Sequence, residues 1–167
     1  MTRWAQTGFS LIELVFVIVL MSILAIVALP RFADLNRETH RASVAGTAAS
    51  FQEAVVMVSM ARRVNGYIGP LNDNVRGFGA DNIDVNTQYF PTDTGGQNTI
   101  GGNAGRCVNV WNGILLSAPS ISTAATADYQ ATAAGQVCTY TYRRDSSAVR
   151  RFTYNATTGQ VTVTSNP

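Results

Sequence analysis

Lysine is absent from this sequence of 167 residues, whose 12 basic residues are all arginines. Without lysine the chain has no residue for a P-loop, for Schiff-base catalysis or for a lysine-linked covalent bond between subunits. The sequence also has 1 histidine, and its 2 cysteines, Cys107 and Cys138, do not form a Cys-x-x-Cys motif. No cluster of metal ligands exists and no pair of carboxylates is set apart for catalysis. We therefore expect no enzymatic activity, no cofactor and no metal.

Charge is scarce as well, since only 13% of the residues are charged and the formal net charge is +2. This balance is too even for the whole chain to act as a nucleic-acid binder, so any such role would be local. The hydrophobic fraction of 46% excludes a disordered chain. Length and composition predict one ordinary domain together with one specialised segment.

A long apolar run occupies residues 14–29, where Ser22 is the single polar residue. Counted from Phe9, the segment reaches about 31 Å as a helix, enough to cross a hydrocarbon core of about 30 Å. It contains one charge, Glu13, and a carboxylate costs about 2 to 3.5 kcal/mol in such a segment. A secretory signal fits less well, because only Arg3 precedes the run and no Ala-x-Ala site closes it. The sequence predicts a membrane helix whose carboxylate has a function.

The helical pattern continues beyond Pro30 as one apolar stripe. Its members recur at spacings of four, three, four and three residues, and they are Val44, Ala48, Phe51, Val55 and Val58. We expect the helix to reach Val64 and to end at Asn65-Gly66, after two arginines that suit its carboxyl end. The sequence thus predicts one long helix, hydrophobic over residues 9–30 and amphipathic over residues 31–65.

The run Gly8-Phe9-Ser10-Leu11-Ile12-Glu13-Leu14, with the apolar span that ends at Pro30, resembles the N-terminal segment of the type IV pilin and pseudopilin family. The resemblance implies that a prepilin peptidase cuts between Gly8 and Phe9 on the cytoplasmic side. It also implies removal of the leader, residues 1–8, and methylation of the new amino terminus at Phe9. The continuation Pro30-Arg31-Phe32-Ala33-Asp34-Leu35, with Arg41-Ala42-Ser43 and Gly46, is similar to the mannose-sensitive haemagglutinin branch of these pilins.

The carboxylate of Glu13 can be compensated in a bilayer by an amine at the same depth, which the cleaved Phe9 would supply. The two groups lie one turn apart in a single helix, but parallel helices shifted along their axes would pair Glu13 with the Phe9 amine of a neighbour. Glu13 would then set the register of assembly. The alternative is that Glu13 only reaches the membrane interface. For Pro30, the resemblance implies a place where the helix stretches or melts in a filament, and the alternative is a tolerated kink.

Residues 66–167 are rich in Gly, Asn, Thr and Ser and are expected to form a globular β-rich head. Turns predict a surface loop region over residues 66–105. Strands are expected at residues 107–111 and 114–116, no regular structure over residues 117–134, and an antiparallel meander over residues 137–142, 149–154 and 161–164. The predicted fold class is α+β, with the long N-terminal helix packed on a small antiparallel sheet.

Cys107 and Cys138 both fall on predicted strands in the exported part of the chain. A disulfide is the simplest interpretation, and a metal pair or two free thiols are the alternatives. A disulfide closing a loop of about thirty residues should stabilise the head by about 3 to 4 kcal/mol and indicates an oxidising compartment. His40 is expected to be a solvated helix residue.

Two polar groupings in the head offer further hypotheses. The first grouping alternates acids with amides, whose oxygens could bind calcium, as in some secretion pseudopilins. A solvated polar loop is the preferred interpretation of this grouping. Its residues are Asp73, Asp81, Asp84, Asp93, Asn72, Asn74, Asn82 and Asn86. The second grouping consists of four arginines, Arg143, Arg144, Arg150 and Arg151, which flank a predicted hairpin turn. Arginines interleaved with aromatic residues in this way are typical of a contact with DNA or another polyanion. Arginines that keep an exposed or edge strand soluble are the preferred alternative, so nucleic-acid binding is not expected.

Together these features predict a structural subunit that polymerises through its apolar helix, as the resemblance implies. The implied partners are copies of the same chain, a prepilin peptidase, the inner-membrane assembly machinery and the inner membrane itself before assembly. The implied location is the inner membrane and then an extracellular pilus or a periplasmic pseudopilus. The alternatives are a secretion pseudopilin, a minor pilin, a membrane-tethered binding domain that never polymerises, and a DNA-uptake pilin.

Overall fold

The structure, a computed structural model, describes residues 9–65 and 74–165. By contacts the chain divides into two compact units, Met1–Thr39 and His40–Pro167. The elements in chain order are α1 (Leu11–Val64), β1 (Asp84–Val85), β2 (Pro91–Asp93), α2 (Ala104–Ile114), β3 (Ile121–Ser122), β4 (Tyr129–Ala134), β5 (Val137–Tyr142), β6 (Arg150–Asn155) and β7 (Gln160–Ser165). The α+β arrangement, with a long N-terminal helix and a C-terminal sheet, is as predicted.

The first unit contains the apolar half of α1, which has the length and composition to cross a membrane. Its most apolar window has a mean hydropathy of 3.0, and none of that window is buried within the chain. Pro30 lies inside the helix. Because proline has no amide hydrogen, the carbonyl four residues earlier, that of Ile26, receives no bond from it.

In the second unit the stripe from Val44 to Val58 is buried, as the periodicity predicted. Phe51 lies at the centre of this face, and its ring contacts four other rings at centroid distances from 5.2 to 6.1 Å, those of Trp111, Tyr140, Phe152 and Tyr154. Tilted aromatic pairs at such distances add attraction beyond the burial of their area. The amphipathic half of α1 is therefore part of the core, and the helix ends at Val64 as expected.

The sheet has five strands in the order β3-β4-β5-β6-β7. Strands β4 to β7 form an antiparallel meander, which confirms the predicted arrangement of the three C-terminal strands and adds one more. The additional strand β3 pairs with β4 in parallel. The turn between β6 and β7 brings Gly159 against Phe90 with a φ of +72°, so a side chain at Gly159 would be strained and would overlap the Phe90 ring.

The predicted strands at residues 107–111 and 114–116 are wrong, because residues 107–114 belong to the helix α2 and residues 115 and 116 follow its end without forming a strand. The Asn103 side chain accepts a hydrogen bond of 2.8 Å from the Gly105 amide and so caps the helix. The buried residues recur at helical spacing, as Cys107, Val110, Trp111 and Ile114. Cys107 therefore lies on a helix rather than a strand.

Two regions expected to be irregular also contribute to the core. Within residues 66–105 the antiparallel pair β1 and β2 forms, and Val75, Ile83, Val85 and Ile100 are buried, so the surface-loop prediction is wrong for these residues. Within residues 117–134 the strands β3 and β4 form, with Tyr129 and Ala131 buried. Strand β4 provides the hydrogen-bonded neighbour that β5 needs on the side away from β6, and β3 in turn pairs with β4, so both strands depend on tertiary pairing.

Candidate assembly and interaction sites

The candidate assembly segment begins at Phe9, which is exposed, and the helix starts two residues later. The amides of Glu13 and Leu14 donate to the Ser10 carbonyl at 3.0 and 3.2 Å, which fixes the first turn. Glu13 is the acidic residue of that turn, where the helix dipole favours a negative charge. Gly8 lies outside the described residues, so cleavage at Gly8 and Phe9 stays a prediction.

The large apolar side chains from Leu11 to Val27 are between 40% and 80% exposed. Exposed apolar surface of this extent is a lipid or protein contact surface, because a soluble monomer rarely leaves so much in water. Further along α1, a second apolar stripe lies on the face opposite the buried one and includes Val56, Met57, Met60 and Val64. The helix thus exposes apolar side chains well beyond its most apolar half.

The predicted disulfide is present, with Cys107 and Cys138 bonded and their Cα atoms 5.7 Å apart. It joins α2 to β5, and both sulfur-bearing side chains are buried. The Tyr140 hydroxyl donates to the Cys107 carbonyl at 3.0 Å, which adds a second link between the two elements. Burial raises the pKa of Tyr140 well above its usual value, so this donor keeps its proton.

The four arginines of the suggested polyanion contact do not form one exposed strip. Arg150 is buried, and its Nε donates to Asp145 Oδ2 at 2.6 Å with both side chains almost fully covered. Arg144 is exposed and bonded to Asp128, while Arg143 and Arg151 are exposed. The strands β5 and β6 are inner strands of the sheet, so the arginines do not guard an edge either.

Two carboxylates near these arginines have altered acidity. Hydrogen bonds from Ser147, followed by the one from Arg150, hold the pKa of Asp145 well below its ordinary value. The bond from Arg144, with a further one from Ser120, lowers the pKa of Asp128. Both acids are therefore ionised at neutral pH, and they neutralise part of the positive charge at this end of the head.

Within the acidic set between residues 72 and 93, Asp84 and Asp93 are buried, so the solvated-loop prediction is wrong for these two, whereas Asn74 and Asp81 are exposed. Asp84 Oδ2 accepts hydrogen bonds from the amides of Gly96 and Gln97 at 2.6 and 3.3 Å, and Asp93 Oδ1 accepts one from Asn109 at 2.8 Å. These carboxylates fix the backbone around β1 and β2. Asn72 and Asp73 lie outside the described residues, and the described part of the chain has no group of three acidic, histidine or cysteine residues placed to hold a metal.

Two side chains have roles that the sequence analysis missed. The Gln52 side chain donates a hydrogen bond to the Gly159 carbonyl and accepts one from the Val161 amide, on either side of Gln160. His40 is half-buried rather than solvated, and its Nδ1 lies 3.2 Å from the Tyr142 hydroxyl. Both lie beside the buried stripe on α1, and nothing in the local sequence identifies their partners, which are more than 100 positions away.

Comparison with known proteins links the chain to a pilus subunit. It is 43% identical over 53 residues to the type IV narrow pilus major component PilA5 of Thermus thermophilus. The matched residues are 32% of this chain and 46% of the relative, so the chain spans about half the length of the curated relative it matches. No protein-family profile matches the chain, and no solved structure matches it. The similarity supports the resemblance to type IV pilins and a structural rather than enzymatic role.

Proposed function

We propose that this chain is the structural subunit of a type IV pilus-like filament, used for attachment, adhesion or motility. A prepilin peptidase removes residues 1–8 and methylates Phe9, and the processed chains then polymerise through their N-terminal helices. Two observations support the proposal, the similarity of 53 residues to a pilus major component and the sequence motif around Glu13. The proposal applies to the whole chain what these observations indicate for a part of it.

The exposed apolar half of α1 carries this proposal. Burying such side chains is worth about 25 cal/mol per Å² of apolar surface, so their exposure in one chain is a strong drive towards another apolar environment. The inner membrane supplies that environment before assembly, and neighbouring helices supply it in the filament. The second stripe, Val56 to Val64, extends the same contact along the helix.

Glu13 sets the axial register in this proposal. Pairing with the Phe9 amine of a neighbouring chain removes the cost of a carboxylate in an apolar surrounding, and only one axial shift brings the two groups together. Pro30 lies where the helix ladder has already lost a bond, so this is the position where α1 can lengthen when the subunit leaves the membrane.

The last part of the proposal concerns the branch of the family and the type of filament. The residues from Pro30 to Gly46 favour the mannose-sensitive haemagglutinin branch, and assembly requires the inner-membrane machinery that extracts the subunit. A secretion pseudopilin shares the helix but forms a short periplasmic filament, so the location of the polymer separates the two. A minor pilin would be present at a filament tip only.

Electron microscopy of filaments sheared from the cell surface tests the proposal. An antibody against residues 40–167 should label the filaments along their whole length, and intact-mass measurement of the labelled material should give a chain that starts at a methylated Phe9. Label at one end only would indicate a minor pilin. A mass that includes Met1, or surface filaments that lack the chain, would contradict the proposal.

A further inference from the structure

Two methionines lie side by side on the exposed face of α1 in the second unit. Met57 and Met60 are 57% and 59% exposed, and their separation of three residues places them on the same face of the helix. Val56 and Val64 lie beside them on that face and are exposed as well. These two methionines, the methionine pair, therefore belong to the second apolar stripe, which the proposed function assigns to contacts between subunits.

The other sulfur atoms of the chain are protected or lie elsewhere. The two cysteines, Cys107 and Cys138, are buried and joined in the disulfide, so the chain has no thiol that would react with an oxidant first. Met21 lies in the apolar half of α1, which the proposed function places in the bilayer before assembly. Met1 belongs to residues 1–8, outside the described residues. The methionine pair is thus the sulfur that a water-soluble oxidant reaches in the processed chain.

An apolar contact alone does not require methionine at these two positions. Leucine has a similar volume and provides a similar apolar surface, whereas methionine adds a sulfur atom that can be oxidised. Hydrogen peroxide transfers one oxygen atom to this sulfur and leaves as water, so the thioether loses two electrons and becomes a sulfoxide. The product has a polar oxygen in place of an apolar sulfur. Oxidation therefore makes the stripe polar without breaking the helix.

A sulfoxide oxygen that is covered by another chain needs a hydrogen-bond donor. From residue 53 to residue 60 the exposed side chains are Glu53, Val56 and the methionine pair. Valine has no polar atom, and the carboxylate of Glu53 accepts hydrogen bonds but does not donate them. The backbone amides of this segment already donate within the helix. The stripe therefore has no donor for a sulfoxide, and packing the same stripe of another copy against it buries a polar atom without a partner.

We propose that Met57 and Met60 are sites of oxidation by peroxides, and that their oxidation in the free subunit blocks its entry into the filament. The inference rests on the proposed function, because a polar sulfur group is costly only where another subunit covers the stripe. After assembly the neighbouring helices cover the methionine pair, so filaments are protected and free subunits are sensitive. The pair therefore makes the growth of new filaments depend on the peroxide concentration outside the inner membrane.

Regrowth of filaments after peroxide treatment tests this inference in cells that produce the full chain. Cells sheared free of filaments are treated with hydrogen peroxide, and purified filaments receive the same treatment. Trypsin cleavage after Arg41 and Arg62 releases residues 42–62, which contain the methionine pair and no other methionine, so mass measurement counts the added oxygen atoms. We expect oxidation of the pair in free subunits and much less in filaments. Regrowth should fall about tenfold, the effect of one unsatisfied buried polar group.

Three variants separate the methionine pair from other targets of the oxidant. Joint substitution Met57→Leu and Met60→Leu keeps the apolar surface, so this variant should assemble normally and regrow after treatment. Joint substitution Met57→Gln and Met60→Gln places polar groups on the stripe and should assemble poorly without any oxidant. Met21→Leu is the matched control and should remain as sensitive as the unsubstituted chain. All three positions are exposed, so each variant should keep the fold, which thermal unfolding verifies.

The outcomes that would overturn the inference are distinct from one another. Equal loss of regrowth in the leucine variant would show that the oxidant acts elsewhere. Oxidation of the pair without loss of assembly, or normal assembly of the glutamine variant, would show that a polar stripe is tolerated. Equal oxidation in filaments and free subunits would show that assembly does not cover the pair. Absence of filaments from the untreated, unsubstituted chain would contradict the proposed function itself, and this inference with it.

Discussion

Gln52 on α1 forms hydrogen bonds with the backbone at Val161, on the outer edge of the sheet. Its side-chain carbonyl accepts a bond of 2.8 Å from the Val161 amide, and its amino group donates to the Gly159 carbonyl at 3.1 Å. Strand β7 is the last strand of the sheet and pairs with β6 on its other side. The side chain therefore takes the place of a partner strand and fixes the helix against the sheet.

We expect Gln52→Ala to lower the free energy of unfolding by about 1 to 3 kcal/mol, because two partly buried bonds are lost. The freed edge carries no charge and no proline from Gln160 to Ser165, so the variant should also aggregate more readily. Urea unfolding followed by the fluorescence of Trp111, in a Trp4→Phe background, measures the first effect, and light scattering measures the second. The exposed neighbour variant Ser50→Ala should change neither, and equal values for all three chains would contradict the role of Gln52.

The pattern on α1 was predictable and the partners of its side chains were not. The stripe from Val44 to Val58 is a local property, since a helix sets its own period whatever it packs against. Gln52 and His40 find their partners across more than 100 positions, and such contacts depend on the finished fold. The same holds for Arg150, whose burial follows from the position of Asp145 in the loop between β5 and β6.

The strand predicted at residues 107–111, which lies in helix α2, was wrong for a different reason. Residues 107–111 contain two valines and a tryptophan, residue types that are common in strands, but the buried residues from Cys107 to Ile114 recur at helical spacing. A window of five residues is too short to show the helical period, whereas the longer window beginning at the Asn103 cap favours the helix. Strand β4 was missed because its alanines have little preference for a strand, and it forms as the neighbour that β5 requires.

Stability at low pH should depend on Asp145. Its pKa is lowered in the folded chain by Ser147 and Arg150, so its ionised form stabilises the fold at any pH above the unfolded value of about 3.9. That stabilisation is lost as the pH falls from about 4 towards the lower folded value. We expect the Tm to fall over this interval and to fall less in Asp145→Asn, which begins from a lower Tm at pH 7.

Thermal unfolding followed by Trp111 fluorescence at a series of pH values between 7 and 2 measures this dependence. Asp81→Asn removes an exposed carboxylate and is the matched control, which should retain the slope of the unsubstituted chain. Parallel curves for Asp145→Asn and the unsubstituted chain would show that Asp145 does not govern the acid response.

Processing should require a small residue before the cleavage site. Replacing Gly8 with leucine should leave residues 1–8 attached and keep the chain in the inner membrane, because a bulky side chain does not fit beside the scissile bond of a membrane peptidase. Gly8→Ala should be processed at least in part. Mass measurement of the chain from membrane and surface fractions detects both outcomes, and efficient cleavage of Gly8→Leu would contradict the predicted site.

Glu13→Val should be cleaved normally and should assemble poorly. The variant removes the carboxylate that pairs with the Phe9 amine and makes the membrane segment more apolar, so extraction becomes less favourable. Filament yield at equal expression measures the effect. Ser22→Val, which removes the single polar side chain of residues 14–29 and its bond of 2.7 Å to the Ile18 carbonyl, is the control and should assemble. Normal yield from Glu13→Val would show that the charge pair is dispensable.

The arginines near the β5–β6 turn should separate by role. Arg150→Gln leaves Asp145 buried without its cation and should lower the free energy of unfolding by about 2 kcal/mol, between the values of surface and buried pairs.

Joint substitution of Arg143, Arg144 and Arg151 with glutamine should keep the fold, because all three are exposed. In a gel shift with duplex DNA at two salt concentrations, we expect no retardation by the unsubstituted chain, since Asp145 and Asp128 offset two of the four charges. Retardation at low salt that disappears at high salt and in the triple variant would instead establish a phosphate contact.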